Sequence, residues 1–125
     1  MRRQRAVDQL SELPEVVEAS SVQAKDLNGR RNLIVHGEVL GDGEIQGSVF
    51  LGPESRWAGN LTADLVVIKG RFEGNVKARH KVEVRGMAHV HGNLDAPVIA
   101  VAKGAHIDGD YAPHSCVIYF EERRG

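Results

Sequence analysis

A five-residue motif recurs five times in this chain of 125 residues: an apolar residue, a variable residue, glycine, a small polar residue and a second apolar residue. Its copies are residues 45–49, 57–61, 72–76, 90–94 and 107–111, and their glycines lie 12, 15, 18 and 17 residues apart. A period of this size is too short for paired helices and too long for one strand. The chain must therefore fold as a series of similar units, each made of several short strands.

Apolar and polar residues alternate within each unit, as at Val82 and Val84, which is typical of extended chain with one face buried. Glycine-marked corners would let the chain turn and coil back onto itself once per repeat, so that successive coils stack as parallel strands about 4.8 Å apart. We therefore predict an all-β fold, a right-handed parallel β-helix (β-solenoid) of about five to six short coils. The right hand is the default for parallel crossovers.

Alignment of two coils tests this interpretation at positions outside the motif. When Val90 is placed over Ile107, Val82 falls over Ile99 and Val84 falls over Val101. Apolar residues therefore coincide along the coil. This agreement is what stacked coils require, because no coil can bury its apolar face alone.

We interpret the glycines of the motif and the polar residues after them as corner structure, because such side chains accept turn conformations and bond to nearby backbone. The alternative is a row of ligand-binding side chains. The polar column is Ser48, Asn60, Asn75, Asn93 and Asp110, and the predicted corner residues are Gly47, Gly59, Asn60, Gly74, Asn75, Gly92, Asn93, Gly109 and Asp110.

Composition narrows the class of protein. Sixteen Lys and Arg balance seventeen Asp and Glu, which does not favour a nucleic-acid partner. Cys116 is the one cysteine, so no disulfide framework is expected. The chain carries no phosphate-binding loop or nucleotide fingerprint, so we expect neither a cofactor nor a nucleotide.

The chain is divided into three parts on this basis. Residues 1–32 would form an N-terminal tail or a short capping helix, 33–120 the β-helix domain and 121–125 a charged C-terminal tail. Weak membrane attachment through Arg2, Arg3 and Arg5 is a further alternative for the first part.

The repeat resembles that of the bactofilins, the polymer-forming cytoskeletal proteins of bacteria. The resemblance rests on residues 74–78, 82–86 and 90–94 and covers roughly residues 33–113. It implies end-to-end assembly into filaments without nucleotide and a scaffolding role in cell shape or cell-wall organisation. It also implies a cytoplasmic protein, peripheral at the inner membrane in some cases, whose partners are itself and cell-wall enzymes or membrane-bound adaptors. Two features depart from the family: the N-terminus lacks an apolar start, and the first steps of 12 and 15 residues are short.

An apolar run precedes the charged C-terminus and is the predicted site of self-association. It consists of Val117, Ile118, Tyr119 and Phe120. One interpretation is a last strand packed on the final coil. The other, to which the resemblance lends support, is an apolar contact with another subunit, made chiefly by Phe120.

Histidines supply the only candidates for a metal site. His89 and His91 would point outward on one strand, with His106 and Asp108 of the next coil about 4.8 Å above them. Imidazole and carboxylate ligands suit zinc or nickel. A flat strand face converges ligands poorly and Arg71 beneath would oppose a cation, so we expect a solvated polar face and no metal.

A structural role is favoured over an enzymatic one. Hexapeptide-repeat acyltransferases need an apolar residue every six positions, a period that fails here at Lys69. No catalytic triad arrangement is evident, so we expect no enzyme. The predicted function is a self-assembling cytoskeletal filament. The alternatives are a binding module at the cell envelope that does not polymerise and, less favoured, a hexapeptide-like acyltransferase.

Overall fold

The computed structural model describes residues 15–17 and 22–120, and this part of the chain is built almost entirely of short strands. One 3₁₀ helix spans Ala24–Leu27. The strands are β1 (Glu15–Val17), β2 (Val22–Gln23), β3 (Leu33–Val35), β4 (Glu38–Leu40), β5 (Gly43–Glu44), β6 (Ser48–Leu51), β7 (Arg56–Ala58), β8 (Leu61–Ile68), β9 (Arg71–Glu73), β10 (Val76–Val84), β11 (His89–His91), β12 (Leu94–Asp95), β13 (Val98–Ala102), β14 (His106–Asp108) and β15 (Cys116–Phe120).

These strands wind into a β-solenoid of about six turns with three faces, and every pairing between them is parallel. The first face holds β1, β3, β6, the second half of β8, the second half of β10, β13 and β15. The second face holds β2, β4, β7, β9, β11 and β14. The third face holds β5, the first halves of β8 and β10, and β12. The predicted all-β parallel solenoid is confirmed.

The register predicted for the later coils is confirmed as well. Val82 pairs with Ile99 and Val84 with Val101 on the first face. On the second face Val90 pairs with Ile107. Because a shift of one residue would turn every buried side chain outward, the alternating apolar pattern determines this register.

The interior is a continuous apolar core enclosed by the three faces. It consists mainly of Val, Ile, Leu and Ala, with two large rings on the second face. Trp57 and Phe72 stack there with their ring centroids 6.3 Å apart. Gly43 gives Trp57 its space, since a Cβ atom on residue 43 would lie 2.8 Å from the indole ring. Large and small residues thus compensate one another within the narrow cross-section.

The solenoid begins before the predicted boundary at residue 33. β1 pairs with β3 and β2 pairs with β4, while Gly29 forms a bridge to Ile45 on the third face. Ala24 and Leu27 of the 3₁₀ helix are buried against this first coil. The predicted boundary therefore falls inside the solenoid. The sequence did not reveal the earlier strands because the N-terminal segment lacks the glycine motif. Of the residues assigned to the two tails, 1–14, 18–21 and 121–125 lie outside the described residues.

Among the described residues, no helix is long and apolar enough to cross a membrane.

Candidate self-association site

The corner glycines of successive coils stack directly on one another along the solenoid. Gly59, Gly74, Gly92 and Gly109 have φ values between +136° and +158°. A Cβ atom on any of them would collide with the carbonyl oxygen of the glycine one coil earlier. For Gly59 that earlier glycine is Gly41, at φ +103°.

Gly47 is not part of this column, so its alignment with Gly59 is wrong. A Cβ atom there would collide instead with the carbonyl oxygen of Arg31, at the turn between β5 and β6. With Gly41 in its place, the glycines step by 18, 15, 18 and 17 residues. The short first step of 12 residues results from that misalignment, whereas the step of 15 residues from Gly59 to Gly74 remains.

The polar side chains after these glycines form a hydrogen-bonded ladder. Each side-chain oxygen accepts a bond from the backbone N–H of the equivalent residue in the next coil, at distances of 2.9, 3.1, 3.1 and 3.0 Å. The ladder runs through Asp42, Asn60, Asn75, Asn93 and Asp110. Ser48, which the sequence placed first in this column, is not part of the ladder. Its backbone N–H donates instead to Asn32 Oδ1 at 2.9 Å. The sequence does carry a signal for Asp42, since this polar residue follows Gly41 as the later ladder residues follow their glycines.

The histidines of the second face stack as their register requires. The His89 and His106 rings are 4.8 Å apart and nearly parallel, and His91 Nδ1 lies 3.1 Å from Asp108 Oδ2. Arg71, which lies on the preceding coil, pairs in register with His89. Within residues 15–17 and 22–120, no three His, Cys, Asp or Glu side chains are grouped closely enough to hold a metal ion.

The predicted apolar run forms β15, the last strand of the first face, and its side chains divide between two surfaces. Val117 and Tyr119 pair with Ile99 and Val101, whose side chains point into the core. Ile118 and Phe120 alternate with them and therefore point outward from the first face. The run thus contributes to both the end and the outside of the solenoid.

Four inward-facing residues of the last coil define what we call the C-terminal end surface: Ile107, Tyr111, Val117 and Tyr119. Their equivalents one coil earlier, Val90, Leu94, Ile99 and Val101, are only 0–5% exposed. In contrast, Tyr119 is 67% exposed and the other three are only partly buried. The interior cross-section is therefore incompletely covered at this end by the described residues.

Tyr111 and Tyr119 are linked across this surface by a side-chain hydrogen bond. Burial, and then this hydrogen bond, raise the pKa of Tyr111 to about 12. Sequence reasoning identified Val117 and Tyr119 but missed Ile107 and Tyr111, although their alignment with Val90 and Leu94 had already placed them in the last coil.

Comparison with known proteins agrees with this architecture. The sequence profile of the bactofilin family, described as polymer-forming cytoskeletal, matches residues 16–112. Bactofilin BacO of Myxococcus xanthus (strain DK1622) is 30% identical over 95 residues, which cover 76% of this chain and 75% of that protein. No solved structure matches the chain. A parallel solenoid, a family match over most of its length and this relative together establish that the chain belongs to the bactofilins, a family of polymer-forming cytoskeletal proteins.

Proposed function

We propose that this bactofilin assembles end to end through its C-terminal end surface, without nucleotide, into filaments that scaffold cell-shape or cell-wall organisation. The family supports self-association, and one observation supports this particular contact. The four residues of the end surface occupy core positions yet are only partly covered, as expected for a solenoid whose next coil belongs to another subunit.

The strand edges at the same end support the contact through hydrogen bonding. β15 and β14 are the terminal strands of the first and second faces, and each pairs on one side only among the described strands. Such edges carry unpaired backbone N–H and C=O groups and can template pairing with another chain. An incoming subunit would satisfy these groups while covering the apolar cross-section.

Nucleotide independence is proposed because the energy of such a contact comes from burial and strand pairing, which need no chemical step. The sequence contains no phosphate-binding loop. We place the filament in the cytoplasm, with cell-wall enzymes or membrane-bound adaptors as partners that link it to the envelope.

A charge placed at the end surface tests this proposal. Tyr119→Arg should abolish pelleting of the protein by high-speed centrifugation, because an uncompensated charge in an apolar interface costs several kcal/mol, roughly 3–5. Tyr119 is 67% exposed in the subunit, so the substitution should leave the fold intact, as circular dichroism would verify.

Met87→Arg is the matched control. It replaces another exposed apolar side chain, which lies between β10 and β11 and outside the C-terminal end surface. This variant should pellet like the unmodified protein. If Tyr119→Arg pellets equally well, the C-terminal end surface is not the contact.

A further inference from the structure

The outside of the first face is mainly apolar, unlike the outsides of the other two. From β3 to β15, outward-facing apolar side chains lie on five of the six strands, and β10 between them presents Lys81 and Glu83 instead. The apolar residues are Ile34, Phe50, Leu65, Val67, Val98, Ala100, Ile118 and Phe120. The central register row runs Ile34, Phe50, Val67, Glu83, Ala100, Ile118. We call this set the outer apolar face.

The other faces show what an ordinary solvated face of this solenoid looks like. Outward positions on the second face include Arg56, Arg71, His89 and His106, in register with one another. Outward positions on the third face include Glu44, Thr62, Lys77 and Asp95, also in register. The narrow solenoid does not itself require an apolar exterior, so the outer apolar face needs another explanation.

Charges within the outer apolar face are arranged so that they can lie in an interface. Glu83 is flanked on its own strand by Lys81 at 3.7 Å and by Arg85 at 2.7 Å. Lys69 Nζ lies 5.6 Å from the centre of the Phe50 ring, and the Arg85 guanidinium lies 6.0 Å from that of Phe120. Both cations thus stand over aromatic rings, an attractive arrangement that grows stronger as water is removed.

We propose that the outer apolar face binds the same face of a second copy of this chain, so that filaments pair side by side. A second copy is the partner because the family polymerises, and because Ile118 and Phe120 belong to both β15 and this face, which joins it to the proposed end contact. Two flat sheet faces pack about 10 Å apart with interleaved side chains. The inference rests on the proposed function, since end-to-end assembly is what repeats the face.

The size of the face makes its pairing dependent on polymerisation. The six strands that the face spans, the charged β10 included, lie about 4.8 Å apart over a width of about 14 Å and offer roughly 400 Å² per subunit, or about 800 Å² for a pair. Stable interfaces bury at least about 1,200 Å², so two isolated subunits should not pair through it. In a filament the face repeats with every subunit, and each contact raises the effective concentration of the next. Bundling should therefore appear only once filaments have formed.

Two substitutions on the outer apolar face test this inference. Val98→Glu places a carboxylate beside Lys81, with which Val98 pairs in register, and Phe50→Glu places one under Lys69. Each charge is thus compensated within the subunit, so the variants should fold. Thr62→Glu is the matched control, since Thr62 is a half-buried outward residue paired with Lys77 on the third face.

Negative-stain electron microscopy, with low-speed and high-speed centrifugation, separates the outcomes. Unmodified protein and Thr62→Glu should form bundles that pellet at low speed, and this should persist at high salt because the contact is apolar. Val98→Glu and Phe50→Glu should form single filaments that pellet only at high speed.

Bundles that survive in both glutamate variants would overturn the inference. Single filaments of the unmodified protein would also overturn it and leave the end contact standing. Dispersed subunits would overturn both proposals. If instead the variants bundle normally but lose binding to phosphatidylglycerol–phosphatidylethanolamine vesicles, the face contacts lipid and the pairing of copies is wrong.

Discussion

At the scale of single residues, the polar ladder is the clearest link between this sequence and its fold. Asp42, Asn60, Asn75 and Asn93 each present a side-chain oxygen to the backbone N–H one coil later. The bond needs an acceptor and a short side chain, which Asn and Asp supply equally well. Each rung ties one coil to the next at the corner, where the strand ladders are interrupted.

Asn75→Ala should lower the free energy of unfolding by about 1 kcal/mol, because the N–H of Asn93 loses its acceptor. Asn75→Asp keeps an acceptor oxygen, as Asp42 does two rungs earlier in the ladder, and should retain most of the stability. Urea denaturation in the Tyr119→Arg background measures this without a contribution from assembly. Equal losses in both variants would show that the hydrogen bond is not the cause.

At the scale of elements, the glycine column sets how closely successive coils approach. Gly92 joins β11 to β12 at φ +145°, and its N–H donates to the carbonyl oxygen of Asp108 in the next coil at 3.0 Å. On its other side lies the carbonyl group of Gly74. Both contacts are with backbone, which cannot move away without breaking the parallel pairing of the neighbouring strands.

Gly92→Ala should therefore be far more damaging than Gly104→Ala. Both glycines have positive φ, and alanine in that region costs about 1–2 kcal/mol. Only at Gly92 would the new Cβ atom also meet backbone, whereas nothing lies within 4 Å of one at Gly104. We expect Gly104→Ala to unfold at slightly lower urea concentration and Gly92→Ala to lose about 4 kcal/mol or more. Similar midpoints for the two variants would contradict the close approach of the coils.

The element scale also shows how far sequence reasoning extends. Val82, Val84 and Val90 could be aligned with the next coil because alternation and the glycine motif agree there. The first coils were misaligned because Gly47 matches the motif by chance, while Gly41 is followed by Asp42 and then by Gly43, where the motif has an apolar residue. Strands β1 and β2 were missed because their short apolar segments lack any motif.

The candidate site was only partly predictable for a related reason. The apolar run of β15 marks the last strand, but alternation sends Val117 and Tyr119 inward and Ile118 and Phe120 outward. Which surface each side chain serves depends on register with β13, and the run itself does not show that register. The outer apolar face combines apolar residues from five strands, and it becomes visible only when the coils are stacked.

At the scale of the whole molecule, two directions of assembly follow from two different surfaces. The C-terminal end surface exposes core positions along the solenoid axis, and the outer apolar face presents its residues perpendicular to that axis. The first would produce filaments and the second would pair them. Tyr119→Arg should therefore prevent filaments from forming, whereas Val98→Glu should allow filaments and prevent only their pairing.

The most direct test of the central claim is negative-stain electron microscopy of the purified protein without nucleotide, with Tyr119→Arg examined in parallel. The account predicts filaments of the unmodified protein and dispersed particles of the variant. Dispersed particles in both preparations, or filaments in both, would contradict assembly through the C-terminal end surface.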